Sequence, residues 1–331
     1  MEPDIRTRYM GLELSSPVVA GSSELTSKVD NLKKLEEAGA GAVVLRSLFE
    51  EEILAEMART DAAMHRPGPT FPETADMDDL IDPETGVADY LDLIKNAKKE
   101  LGIPVIASIN GITAQKWTYF ASKLEEQGAD ALELNIFLQP SDFDAESAAA
   151  FEQTYFDIIN MVLEQVKIPV SVKLSFYFTL LGQTLQKVSE TGIKGLVLFN
   201  RFFNPDYDVE DLKIVATNVL STPQDVATSL KWIAIMNGRA DCDLAASTGI
   251  HDGDAVIKQL LAGANAVQVA STLYRNGLDI VSELNTRLVE WMKDKEYGSI
   301  EDFRGMLSRQ NIGNPAAYER AQFVKNFRSM K

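Results

Sequence analysis

The sequence is short of cysteine, histidine and positive charge, and each shortage removes a class of function. Its 331 residues include one cysteine, Cys242, so no internal disulfide framework exists and a reducing compartment is implied. There are two histidines, His65 and His251, and neither belongs to an H-x-x-H or H-E-x-x-H pattern. A zinc or di-metal hydrolase would need more such ligands, so no metal is expected. Lys and Arg number 32 against 49 Asp and Glu, a formal net charge of −17. Without clustered cations the chain cannot neutralise nucleic-acid phosphates or hold an anionic membrane surface. No run approaches the ~18 apolar residues of a membrane span. The start, "MEPDIRTRYMGLEL", has no basic segment leading into an apolar run, so no signal peptide is expected. These absences predict a cytoplasmic protein that binds neither nucleic acid nor membrane. Three motifs are also missing. "VAGSSELTS" lacks the G-x-G-x-x-G spacing of a dinucleotide-binding open sheet. No G-x-S-x-G elbow supports a serine nucleophile, and no carboxylate pair of the glycosidase kind is evident at the strand ends.

What is present is internal repetition. "LEEAGAGAVVLRS" (35–47), "LEEQGADALELNIF" (124–137), "VSETGIKGLVLFNR" (188–201) and "LLAGANAVQVAST" (260–272) share one pattern. A helix ends, a glycine stops it, an apolar strand follows within a few residues, and the strand ends in polar side chains. The helices carry a 3.6-residue period: Val29, Leu32 and Leu35 share a face, as do Trp117, Phe120, Ala121 and Leu124. A second pattern alternates with the first, in "IPVIASING" (103–111) and "IPVSVKLSF" (168–176), with proline only at the strand start. "SPVVAGSS" (16–23) and "CDLAASTGI" (242–250) complete the set. Eight strands are therefore predicted, at about 17–21, 42–47, 103–109, 131–136, 168–174, 195–200, 242–247 and 265–270. Right-handed βαβ crossovers in that number predict a closed (β/α)8 TIM barrel, one α/β domain over 1–331. Insertions at about 50–92 and 201–224, the second with a small strand pair, leave from strand C-termini and should lie over the C-terminal face as lids.

Chemistry in such barrels sits at the C-terminal strand ends. Here they supply Ser22 and Ser23, Arg46 and Ser47, Ser108 and Asn110, Asn135, Lys173, Asn200 and Arg201, Ser247 to Gly249, and Ser271 and Thr272. This ring of amides, hydroxyls and cations suits a planar, polar, phosphorylated cofactor. After strands seven and eight, backbone N–H groups at Thr248 and Gly249 and at Ala270, Ser271 and Thr272 precede helices, the arrangement that receives a phosphate. Lys173 ends a central strand and must lose hydration, so it needs an acceptor. It could pair with Glu133, which shares a strand face with Asn135 two residues deeper, form a Schiff base, or donate to the N1–C2 edge of a flavin. Arg46 reads equally as a rim ion-pair residue, Cys242 as a small core residue at the opposite end, and both histidines as surface loop residues, with His251 close to the phosphate turn. Tyr177 and Arg201 are further pocket candidates.

These same stretches resemble the dihydroorotate dehydrogenase family, FMN-dependent (β/α)8 enzymes, and in particular its soluble class 1 members. "SPVVAGSS" resembles the N-P-x-x-x-A-S-G opening and "VVLRS" a strand ending in Lys-Ser, with Arg46 in place of lysine. "ELNIFLQP" resembles E-L-N-x-S-C-P-N, "VKLSFYF" resembles V-K-L-x-P-Y-F, and "LVLFN" a strand ending in asparagine. "STGIHDGDAVIKQLLAGANAVQVAST" resembles the G-G-I…G-A-x-x-x-Q-[IV]-G-T phosphate stretch, and "EYGSIEDFRGML" the family's tail. The match is colinear over nearly all of the chain. It implies an FMN flavoprotein of pyrimidine-metabolism type, acting on a CH–CH group and passing electrons to an acceptor the sequence does not name. By the resemblance Asn135 and Lys173 bond the flavin ring, Gly21, Ser22 and Ser23 run along it, and Arg46 and Ser47 lie beside it. Thr248, Gly249, Ala270 and Ser271 cradle its phosphate, Asn200 faces the substrate, and a homodimer is implied.

The pattern breaks where the family keeps its catalytic base, a Cys or Ser three residues after the asparagine. That position is Leu138, followed by Gln139 and Pro140, and leucine cannot take a proton. The N-S-M-G-L-P-N stretch that grips orotate is absent, its region reading "TADMDDLIDPETG"; Thr248 and Ala270 replace phosphate-loop glycines. The expectation is a hydride-transferring oxidoreductase on a small substrate other than dihydroorotate, with Lys173, Asn200 and Tyr177 as its reactive side chains. The alternatives are a Schiff-base lyase using Lys173 on a phosphorylated substrate, or a catalytically silent flavin-binding subunit.

Overall fold

Alternating helix and strand signals condense into a ring of parallel strands. The structure is a computed structural model that describes residues 2–50, 52, 86–111, 114–138, 147–201, 204–217, 219–315 and 318, with backbone alone for 114–119, 204, 216 and 217. A hairpin comes first, β1 (Thr7–Tyr9) and β2 (Leu12–Leu14). The barrel strands then follow as β3 (Val18–Ala20), β4 (Ala42–Phe49), β5 (Val105–Gly111), β6 (Ala131–Ile136), β7 (Val170–Leu174) and β8 (Gly195–Leu198). After a second hairpin, β9 (Asn204–Asp208) and β10 (Lys213–Thr217), come β11 (Asp243–Ser247) and β12 (Ala266–Val269). The eight barrel strands pair in chain order and close, β12 pairing with β3 and every pair parallel. All eight predicted strands are found within a few residues of their expected bounds.

Helices α1 (Val29–Glu37), α2 (Val87–Glu100), α3 (Ala114–Glu126), α4 (Ala148–Leu163), α5 (Leu181–Ser189), α6 (Val226–Met236) and α7 (Gly253–Ala262) link consecutive strands, and α8 (Ser271–Asn276) and α9 (Ile280–Asp294) follow the last one. Their apolar faces pack on the outer face of the barrel: Leu32 and Leu35 of α1, Phe120 and Leu124 of α3, and Val256 and Leu260 of α7 all belong to the main core. Gly39, Gly128, Gly192 and Gly263, expected to stop helices, all have left-handed backbone, with φ between 90 and 116°.

Strand alternation divides the barrel interior into two levels. The lower level is apolar: Val19, Ala42, Val44, Ile106, Ala131, Val197, Ala245 and Ala266 form one buried cluster with Tyr9, Met10 and Leu14 of the first hairpin. That hairpin, unforeseen in the sequence, closes the N-terminal end of the barrel. Two residues further along the same strand faces the interior turns polar, with Ser108, Glu133, Ser247 and Gln268 at the next positions. Of the insertion expected at 50–92, residues 51 and 53–85 lie outside the described residues, His65 among them, and 87 onward belongs to α2. The insertion at 201–224 contains the expected strand pair, antiparallel with Tyr207 opposite Ile214. No described helix is long and apolar enough to cross a membrane.

Candidate active site

The floor of the barrel mouth is a buried three-residue relay. Lys173 Nζ donates to Gln268 Oε1 at 3.1 Å, and Gln268 Nε2 donates to Glu133 Oε2 at 2.5 Å. Glu133 Oε1 lies 3.8 Å from Lys173 Nζ, an ion pair too long for a hydrogen bond. Glu133 and Gln268 are 0% and 2% exposed and Lys173 8%. Burying a lone carboxylate or ammonium is costly, and the three groups compensate one another. Glu133 is thus the structural partner of a buried cation, as its strand position suggested. Gln268, a member of the quoted "AVQVAST" stretch, was not singled out as a site residue. Its signal was a polar side chain at an inward position of an otherwise apolar strand.

Above the floor, polar side chains link strand end to strand end. Ser22 Oγ lies 3.1 Å from Ser47 Oγ, which lies 2.8 Å from Ser108 Oγ. Asn135 Nδ2 donates to Ser47 Oγ at 3.4 Å, and Asn200 Nδ2 donates to Asn135 Oδ1. Residues from β4, β5, β6 and the turns after β3 and β8 are therefore joined into one network, as expected of a site assembled from strand ends. Gly21 N–H donates to Val269 O at 2.8 Å and holds the chain before Ser22 and Ser23 against β12.

Beside this network lies a cavity of about 480 Å3, lined by Ser22, Lys173, Asn200 and Gln268 together with Ser221, Thr248, Gly249, Ala270 and Ser271. Thr248 and Gly249 both have left-handed backbone, φ 73° and 81°. A Cβ on Gly249 would collide with the backbone nitrogen of Val226 at the start of α6, so no other residue fits there. Thr248 Oγ1 donates to Phe199 O at 3.0 Å, an anchor for a side chain in a conformation that disfavours one. Ser221, from the second insertion, enters the same wall: its N–H donates to Ser271 Oγ at 2.9 Å, and its Oγ accepts from Gly249 N–H at 3.3 Å. The sequence offered no signal for Ser221, because a loop residue reaches its position by tertiary packing alone.

His251, expected on the surface, is half-buried, with Nε2 3.0 Å from Ser221 Oγ. Burial, then the nearby Arg275 charge, lowers its pKa from the ordinary histidine value. Arg46 does take the ion-pair role: it is 7% exposed, its Nη1 is 3.0 Å from Glu52 Oε1, and it does not line the described cavity. Arg201 pairs with Asp225 at 2.8 Å. Tyr177 lines an adjoining cavity of about 380 Å3 with Phe176, Phe199 and Asn200. Leu138 is 6% exposed and belongs to the main core. Cys242 packs against that core near the N-terminal end, and burial, then Asp243, pushes its thiol up to about 12. Among the described residues no cluster of His, Cys, Asp and Glu could hold a metal.

The donor set fits flavin mononucleotide. Among the described residues Lys173 and Arg201 line the main cavity and no carboxylate does, although the whole chain carries a net charge of −17. The cavity combines the amides and ammonium of Asn200, Gln268 and Lys173, which suit the polar edge of an isoalloxazine, with the backbone N–H groups and hydroxyls around Thr248, Ala270 and Ser271, which suit a phosphate.

A family model described as dihydroorotate dehydrogenase matches residues 80–292, more than half of the chain. Over 313 residues the chain is 26% identical to the dihydroorotate dehydrogenase B (NAD(+)), catalytic subunit, of Methanocaldococcus jannaschii, covering 91% of this chain and 97% of that protein. It is 26% identical over 318 residues to the like-named protein of Thermoplasma volcanium, covering 93% and 99%. With that of Methanothermobacter thermautotrophicus it shares 22% over 314 residues, covering 91% and 98%.

Proposed function

The chain belongs to the dihydroorotate dehydrogenase family, and on that premise we propose that it is an FMN-dependent oxidoreductase whose small substrate is not dihydroorotate. The observation that carries the second half is Leu138. It stands three residues after Asn135, where the family resemblance expects a Cys or Ser base, and its side chain is packed into the core. A hydrocarbon there cannot remove a substrate proton. A proton, where the substrate has one to lose, must go to another group, and Tyr177 beside Asn200 is our candidate.

Bound in the main cavity, FMN would supply hydride transfer at N5 and return the electrons to an acceptor. Lys173 would hold the ring's polar edge with a cation, favouring the negative charge that reduction brings. Asn135 would donate and accept beside it, Asn200 would orient the substrate, and Gly21, Ser22, Ser23 and Ser47 would lie along the ring. Gly249, Ala270, Ser271 and the backbone of Thr248 would hold the phosphate. Arg46, committed to Glu52, has a structural part in this reading. The relatives' names, NAD(+)-type catalytic subunits, support delivery of electrons through a second subunit; the cytoplasmic location and the homodimer belong to this reading only through the sequence and the class 1 resemblance.

The visible spectrum of the purified protein, before and after addition of FMN, tests this. Flavin absorption with FMN released on denaturation is expected, and dihydroorotate should leave that absorption unbleached. A colourless protein that takes up no FMN would overturn the flavin reading and turn attention to borohydride trapping of Lys173 with carbonyl substrates. Bleaching by dihydroorotate would overturn the substrate reading.

A further inference from the structure

A hydroxyl has one proton to give and two lone pairs to receive, so its neighbours decide which of these it shows to a ligand. Ser221 is 3% exposed, lines the main cavity, and has two fixed neighbours. Gly249 N–H donates to its Oγ at 3.3 Å, which uses one lone pair. His251 Nε2 lies 3.0 Å from the same oxygen. With Nε2 protonated, the imidazole takes the second lone pair, and the Ser221 proton has nowhere to point except away from both, into the cavity. With Nε2 bare, Ser221 donates to the imidazole and turns a lone pair to the cavity instead, repelling an anion.

We infer that His251 is a positioning residue for the cofactor phosphate: through Nε2–H it fixes Ser221 as a hydrogen-bond donor to the anion held by the backbone of Thr248, Ala270 and Ser271, with Gly249 taking part through its N–H to Ser221. The inference rests on the flavin reading for the identity of the anion's carrier, but not for the anion itself. Two further contacts hold the relay in register. The Ser221 N–H is anchored on Ser271 Oγ at 2.9 Å, and Thr272 Oγ1 donates to His251 O at 3.5 Å. The relay thus ties together the turn after β11, the start of α8 and the loop after β10, the three segments that meet at the cradle. The charged groups around the imidazole are Arg275 of α8, Asp252 in its own turn, and Asp225 at the foot of α6. The neutral imidazole in its Nε2–H tautomer already donates to Ser221; Arg275 and burial oppose only the added charge of an imidazolium, which a dianion in the cradle would offset.

The test is the affinity of the full chain for FMN and for riboflavin, which lacks the phosphate, measured by quenching of flavin fluorescence. A hydrogen bond to a charged group is involved, so His251→Ala and Ser221→Ala should each weaken FMN about tenfold. Riboflavin binding should stay as in the parent protein. His251→Gln, which can place an N–H at the Nε2 position, should restore FMN affinity. Equal losses for FMN and riboflavin, or no loss for either, would overturn the inference. Where the parent protein binds neither flavin, the flavin reading falls, and inorganic phosphate followed by phosphorus NMR replaces it as probe. Phosphate binding lost in His251→Ala then upholds the relay, and absence of phosphate binding by the parent overturns it.

Discussion

Lys173 owes its fixed position to two neighbours rather than to the strand that carries it. Gln268 accepts its hydrogen bond at 3.1 Å and relays the negative charge of Glu133, whose other oxygen is 3.8 Å from the ammonium. Both charged side chains are nearly dry, 10% and 1% exposed, so removing one strands the other. Lys173→Met is therefore expected to lose about 3–5 kcal/mol in urea unfolding, and adding Glu133→Gln should return much of it. Additive losses in the double variant would show that the two charges are not coupled. Leu138 makes the opposite point. Its place beside Asn135 suggests chemistry, yet burial in the core makes it a packing residue. Glu133 as partner of a buried cation was legible from strand alternation alone, whereas the mediation of Gln268 was not, because the two residues are 135 positions apart.

The loop between β10 and α6 brings Ser221 into the cavity wall, and Asp225 holds that loop. Its Oδ2 accepts from Thr222 N–H at 2.7 Å and Thr222 Oγ1 at 3.1 Å, and pairs with Arg201 at 2.8 Å. Burial pushes the Asp225 carboxyl up, but the Thr222 hydrogen bonds and the Arg201 charge outweigh it and leave it below the ordinary aspartate value. A carboxylate depressed in the folded state contributes stability above its unfolded pKa and loses it as pH falls through the folded one. Hydrogen-exchange protection at Ser221 and Thr222, taken relative to the intrinsic rate at each pH, should therefore hold above the ordinary aspartate range and be lost as pH falls below it. Asp225→Asn should show fast exchange at every pH, and a parent-like profile in that variant would rule out the carboxylate as the clasp. The strand pair β9–β10 was legible in "NPDYDVEDLKIVAT"; its delivery of Ser221 to a wall made by β11 and β12 was not.

At the scale of the molecule, a chain with a net charge of −17 forms a mouth at which the described residues place two cations and no carboxylate. Self-repulsion of like charge works against the folded state and is screened over about a Debye length, ~10 Å at 0.1 M salt. The melting temperature should rise as sodium chloride is added from near zero to about 0.2 M, and a fall over that range would mean that attractive pairs outweigh the excess charge. The separation of charge also divides the reading of function. The expectation that nucleic acid is not a partner rests on composition, since counterion release needs an excess of clustered cations. The proposal of an anionic cofactor rests on where the few inward cations stand, and that belongs to the fold.

The sequence by itself determined the barrel, its eight strands, their order and the polar character of their C-terminal ends. Each of these rests on local rules: the period of apolar residues, a glycine that ends a helix, and a strand that alternates its faces. It also carried the family, through motifs in colinear order, and the break at Leu138. Only the tertiary structure decided which polar ends meet. Lys173 and Gln268 are 95 residues apart, Ser22 and Ser47 are 25, and Ser221 and His251 are 30. Barrel closure sets such pairs side by side through strand register, which depends on how β12 returns to β3. The N-terminal hairpin and the Ser221 loop are placed by what they fill. A cavity's shape is a property of the closed ring as a whole, and no local rule contains it.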